Sequence, residues 1–178
     1  RSSDLVLLMT PASLTGALAH MICHAFMKIC CFFCAGAVIH KSGKTLVPEL
    51  KGLGMAMPKT FIVFTISGLA LMGVPGLAGF VSKWNIAKGA VGAGSVLGYL
   101  GLGALLVSAL LTAIYMMSIA VSAFFPGRDF DYAPLKGIKD PGWKMMLPLV
   151  CFVCVIFVLG LKPAVLSGFL TSVVSGVF

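Results

Sequence analysis

Four apolar runs, separated by short polar stretches rich in lysine, set the pattern of this chain. The first extends from Leu14 to Ile39. The second runs from about Thr60 to about Ala90 and is interrupted by Gly73-Val74-Pro75-Gly76. A glycine-rich connection over Gly89–Gly103 leads to a third run ending near Phe125, and Met145–Leu161 is the fourth. At about 1.5 Å per residue the first run is about 39 Å long, enough to cross a hydrocarbon core of about 30 Å with some tilt. The pattern therefore predicts transmembrane helices at approximately 14–39, 60–88, 99–125 and 145–161. Pro11-Ala12-Ser13 starts the first helix, and His40-Lys41-Ser42-Gly43-Lys44 ends it. The apolar tail at 162–178 reads as an interfacial segment, or one packed against a partner.

The interruption in the second run predicts a broken helix. Proline removes a backbone donor, and the flanking glycines, Gly73 and Gly76, loosen the chain around Pro75. Unwound backbone at membrane depth persists only where protein buries it or water lines it. Just beyond the break, Gly79-Phe80-Val81-Ser82-Lys83-Trp84 places Lys83 inside the span.

The first run carries the other exception to apolarity. His20, His24 and Lys28 are spaced i, i+4, i+8, which brings the three polar heads within roughly 80° on one helix face. Lys28 lies near mid-span, about 16 Å along the axis from the far end. Its stem reaches only ~6 Å, too short to snorkel to the interface. A charged lysine at that depth costs about 2.5–3.5 kcal/mol on insertion scales, so something must compensate.

In the third run, Ser108, Thr112, Tyr115, Ser118 and Ser122 form a hydroxyl stripe within an arc of roughly 120°. Two readings fit it: hydroxyls bonding back to their own helix, or a hydrated path or helix contact. Gly94-Ser95-Val96-Leu97-Gly98 matches the GxxxG pattern of close helix crossings.

Composition excludes the soluble classes. The chain is 60% hydrophobic and 10% charged, with a mean hydropathy of +1.09, so it reads as a polytopic helical membrane protein. The net charge of +8 does not indicate a nucleic-acid partner, because the cations sit in loops. Lys41, Lys44, Lys51 and Lys59 occupy the first loop, and Arg128, Lys136, Lys139 and Lys144 the third. Only Lys88 lies in the intervening connection and only Lys162 after the last run. By the positive-inside rule, loops 40–59 and 126–144 are expected on the cytoplasmic side. The chain begins at Arg1 with no evident signal peptide, and is read as a piece of a longer polypeptide.

Candidate chemistry narrows to proton handling. Cys23, Cys30, Cys31, Cys34, Cys151 and Cys154 all lie in apolar runs without metal-ligand spacing, and read as small packing residues. A metal on His20 and His24 would be repelled by Lys28. No metal or cofactor is expected, and no phosphate loop, nucleophile elbow or carboxylate pair gives catalysis a foothold in this chain. His40 reads as interfacial, Lys88 as near the opposite interface, and Trp84, Trp143 and Tyr99 as interface or packing aromatics. Histidine and lysine gain and lose protons, and one helical turn of about 6 Å separates successive members of the series. Waters bridging such gaps would make a proton relay. The alternative is a set of helix–helix hydrogen bonds with no transport role.

The run His20-x3-His24-Ala25-Phe26-Met27-Lys28, followed by Phe33-Cys34-Ala35-Gly36, resembles the antiporter-like membrane subunits shared by respiratory complex I, Mrp cation/proton antiporters and membrane-bound hydrogenases. The resemblance continues through Leu46–Leu53 and Ser67–Trp84, and covers roughly residues 14–125. It implies an all-α membrane protein: the C-terminal half of an inverted repeat of two five-helix bundles within about fourteen helices, each bundle with a broken helix and a central lysine. It further implies a proton or sodium/proton path through His20, His24 and Lys28, with Lys83 near the exit; the hydroxyl stripe separately offers Ser108, Thr112 and Tyr115 as candidates for that path. The partners implied are the lipid bilayer, the remainder of the subunit and other membrane subunits of a multi-subunit complex, in a prokaryotic plasma membrane. The competing expectation is a non-conducting scaffold that anchors a redox enzyme. On this resemblance the chain is expected to match only the second bundle, without the first and its glutamate–lysine pair.

Overall fold

The computed structural model describes residues 11–92, 94–127 and 130–174. Among these residues the chain is helical, without strands. The helices are α1 (Pro11–Ser42), the short α2 (Leu53–Ala56), α3 (Pro58–Met72), α4 (Ala78–Gly92), α5 (Val96–Phe124), α6 (Trp143–Leu161) and α7 (Pro163–Val174). Single 3-10 turns at Val47–Leu50 and Ala133–Leu135 punctuate the two lysine-rich loops. Among the described residues, three helices are long and apolar enough to cross a membrane: α1 over Leu14–Ser42, α5 and α6. The remaining expected crossing is divided between α3 and α4, each of 15 residues. At about 1.5 Å per residue each half is about 22 Å long, short of the hydrocarbon core, whereas the two together exceed it.

The broken helix forms as the glycine and proline positions predicted. Gly73 ends α3 with φ 97°, and its N–H bonds back to the Leu69 and Ala70 carbonyls at 3.2 and 3.1 Å. Gly76 follows with φ 91°. Only glycine takes such angles without strain, and Pro75 between them has no N–H to continue the ladder. On one side α6 packs directly on the break. Its Gly160 has no side chain, and a Cβ there would lie 2.6 Å from the Leu77 backbone.

The glycine-rich connection is shorter in the fold than in the sequence pattern. Helix α4 continues to Gly92 and α5 starts at Val96, so most of those glycines are helical. The two glycines of the GxxxG match do different things. Gly94 takes φ 59° in the turn, whereas Gly98 lies flat against the Ala90 carbonyl. Ser95 caps α5, its Oγ accepting the Gly98 N–H at 3.1 Å.

Helix α1 is the hub, packing on α3, α4, α6 and α7. Cys23, Met27, Cys30 and Cys34 recur along its buried face and interlock with Val63, Ala70, Leu77, Leu149 and Ile156. Cys30 and Cys34 are fully buried, as expected of thiols used for packing, whereas Cys151 and Cys154 are exposed on α6 and do not follow that expectation. A second core joins Val38, Leu53, Met57 and Phe61 to Ala123 and Leu135, beneath both lysine-rich loops. Those loops therefore share one end of the bundle. The tail forms α7, which lies on α1 and α6 and buries Leu170 and Val174.

Asp140 ties the loops together. Its carboxylate accepts the N–H groups of Lys59 and Thr60 at 3.2 and 3.1 Å and the Thr60 hydroxyl at 3.0 Å. These are open donors of the first turn of α3, where a negative charge also meets the positive end of the helix dipole. Asp140→Ala is expected to destabilise the fold by about 1–2 kcal/mol. A lowered unfolding midpoint of the detergent-solubilised protein would register it, and an unchanged midpoint would refute the cap.

Candidate functional site at the helix break

The buried face of α1 determines where its polar groups point. Cys23 and Met27 are buried, so His24 and Lys28, one position further along, are turned about 100° away. His24 is exposed, while His20 and Lys28 are half-buried. The imidazoles of His20 and His24 lie 5.6 Å apart between ring centroids, tilted by 40°. His20 turns toward α4, where its Nδ1 meets the Oγ of Ser82 at 2.9 Å. Ser82 is only 1% exposed and also hydrogen-bonds the Gly79 carbonyl at 3.2 Å.

Lys83, the next residue of α4, reaches back to the break. Its Nζ donates to the Leu71 and Met72 carbonyls at 2.7 and 3.0 Å. These carbonyls end α3 and have lost their helical donors to the break, so they present the negative end of a helix dipole to an ammonium. Two carbonyl acceptors are the kind of partner that a lysine cation in an apolar span requires. Gly73 leaves room for it, since a Cβ there would lie 3.2 Å from Lys83 Cδ. Lys83 is within electrostatic range of both imidazoles, and Lys28 of His24. Lys28 has no hydrogen-bond partner among the described residues.

The structure thus brings His20, His24, Lys83 and the break at Gly73, Pro75 and Gly76 into one neighbourhood, with Lys28 one turn away along α1. The α5 hydroxyls are used differently. Thr112 donates to the Ser108 carbonyl at 2.8 Å, Ser118 to Tyr115 at 2.9 Å and Ser122 to Ile119 at 3.0 Å. Ser108 and Tyr115 are exposed, and α5 packs chiefly on α3 and α4. No described contact joins Ser108, Thr112 or Tyr115 to the histidines. Of the two readings of the stripe, these bonds follow the back-bonding one.

Ser82 was not singled out from the sequence, although it adjoins Lys83 in a run that was. A hydroxyl just before a lysine within an apolar run was the available signal. The aromatics lie outward: Trp84 stacks on Phe80, with Lys88 Nζ 5.7 Å from its ring, and Tyr99 and Trp143 are exposed.

Discontinuous helices with polar groups at their broken ends recur in membrane transporter folds, and an all-helical membrane protein with such a break is the class that fold and site define. The chain belongs to the NADH:quinone oxidoreductase/Mrp antiporter transmembrane family, whose model matches residues 5–112. It is 33% identical over 168 residues to NADH-quinone oxidoreductase subunit N of Desulforudis audaxviator, covering 93% of this chain and 33% of that protein. It is 40% identical over 131 residues to subunit L of the same enzyme from Mycobacterium tuberculosis, covering 70% of this chain and 21% of that one. In fold it superposes on a chain of respiratory complex I from Thermus thermophilus with a TM-score of 0.82 at 21% identity, covering 98% of this chain and 35% of that chain. The chain therefore spans about a third or less of the length of these relatives. The family resemblance read from the His/Lys series and the broken helix holds, and the protein is an antiporter-like integral membrane protein.

Proposed function

We propose that this chain is the C-terminal part of a membrane subunit that moves protons, or exchanges sodium for protons, along a relay of Lys28, His24, His20 and Lys83. What supports the reading most is a convergence: the histidine face of α1 meets α4 at the residue before Lys83, beside the break. A proton held by Lys28 or His24 would pass toward His20 through bridging water and on to Lys83. Lys83 grips the Leu71 and Met72 carbonyls most strongly as a cation, so its charge state and the geometry of the break are coupled. Ser108, Thr112 and Tyr115 would add hydration along the path only if the rest of the subunit or a neighbour covers α5. Neighbouring membrane subunits are the proposed partners, and the lysine and arginine content of loops 40–59 and 126–144 supports a cytoplasmic side for both.

A scaffold role is the competing reading, favoured by the purely structural bonds of the α5 hydroxyls. Proton translocation by the complete parent complex in liposomes separates the two. Lys28→Met is expected to abolish translocation while the complex still assembles. Native translocation in that variant would favour the scaffold.

A further inference from the structure

Ser82 has one hydroxyl hydrogen and two close partners. The Gly79 carbonyl at 3.2 Å can only accept, so both contacts are hydrogen bonds at once only when that hydrogen goes to the carbonyl. The Ser82 oxygen then offers a lone pair to His20 Nδ1 at 2.9 Å, and the imidazole must supply the hydrogen of that bond. A neutral imidazole carries a single N–H, so a proton on Nδ1 leaves Nε2 bare. The arrangement is shielded, because Ser82 is 1% exposed and lies where α1 crosses α4.

We propose that Ser82 is a positioning residue that holds His20 in the Nδ1–H tautomer, so that every proton entering or leaving His20 does so at Nε2. The proposal rests on the relay reading above. In each transfer an N–H bond forms at Nε2 as the donor loses its own bond to hydrogen. The resulting imidazolium keeps its Nδ1–H on Ser82. Release breaks the Nε2–H bond again and hands the proton to the next acceptor, so the Nδ1–H, Ser82 and Gly79 bonds stay unchanged throughout. Among the described residues, the charged or titratable groups near His20 are His24 on its own helix and Lys83 on α4. Both are proton-exchanging groups, whereas Ser82 acts only through the ring it orients. Without Ser82, the neutral ring would divide between two tautomers and present the wrong nitrogen for part of the time.

The test is proton translocation by the complete parent complex in liposomes, with Ser82→Ala, Ser82→Thr, His20→Gln and the Ser82→Ala/His20→Gln pair. Ser82→Ala keeps the Cβ and removes one oxygen, so packing is preserved. Translocation is expected to slow on the order of tenfold, the factor of one lost hydrogen bond. Ser82→Thr is expected to restore it. Added to His20→Gln, Ser82→Ala should cost nothing more, because there is no ring left to orient. Native translocation in Ser82→Ala beside a slow His20→Gln would overturn the positioning role while leaving the relay intact. An equal loss from Ser82→Ala in both backgrounds would also overturn it, since that marks a packing effect. Native translocation in His20→Gln would remove the relay reading itself, and the role of Ser82 with it.

Discussion

Lys28→Arg is expected to stop proton translocation as completely as Lys28→Met, by about 100-fold or more, in a parent complex that still assembles. Lys28 sits midway along α1, half-buried and without a hydrogen-bond partner among the described residues. No bond seen here would be lost on substitution, so a purely structural role predicts a small effect from either change. A relay predicts a large effect from both, for different reasons. Methionine matches the length of the stem but carries no proton. Arginine keeps the positive charge and holds its proton under all relevant conditions, so it cannot alternate between charged and neutral forms. Liposomes containing a pH-sensitive dye report the result directly. If arginine alone supports translocation, a fixed charge near His24 is sufficient and switching of Lys28 is wrong.

The second large effect is expected at Lys83. Lys83→Met removes two charge-assisted bonds and leaves the Leu71 and Met72 carbonyls without the donor that now holds them. A bond to a charged donor contributes about 1.5–3 kcal/mol, so the unfolding midpoint should fall clearly along with translocation. Lys83→Gln separates the two losses. Its amide retains N–H donors for the same carbonyls but cannot be protonated in the working range. Thermal unfolding of Lys83→Gln should therefore recover toward the native midpoint while translocation stays at the Lys83→Met level. Recovery of both would show that Lys83 serves the break and carries no proton.

Much of the fold was legible along the chain because the physics responsible is local. Apolar runs long enough to span a bilayer must become helices there, since no other backbone arrangement satisfies its own hydrogen bonds in lipid. The break was equally legible, because Gly73, Pro75 and Gly76 alter allowed backbone angles whatever surrounds them. The common face of His20, His24 and Lys28 follows from helical spacing alone. The α4–α5 turn was less legible. Glycines such as Gly89 and Gly92 stay helical in this structure, although glycine by itself disfavours a helix.

What packing decided is which partner each polar group meets. The acceptors of Lys83 lie twelve and eleven residues upstream, on the far side of the break, and appear only once α3 and α4 are set against one another. Ser82 meets His20 across 62 residues, and Asp140 caps α3 across about 80. Thr112, Ser118 and Ser122, indistinguishable in sequence from a polar path, close on their own backbone, and α5 packs chiefly on α3 and α4. Hydropathy and residue spacing determined the helices, the break and the polar face, because each is a property of one segment in lipid. Tertiary structure alone decided the bonds of Ser82, Lys83 and Asp140, because a donor and an acceptor far apart in the chain meet only where whole helices dock.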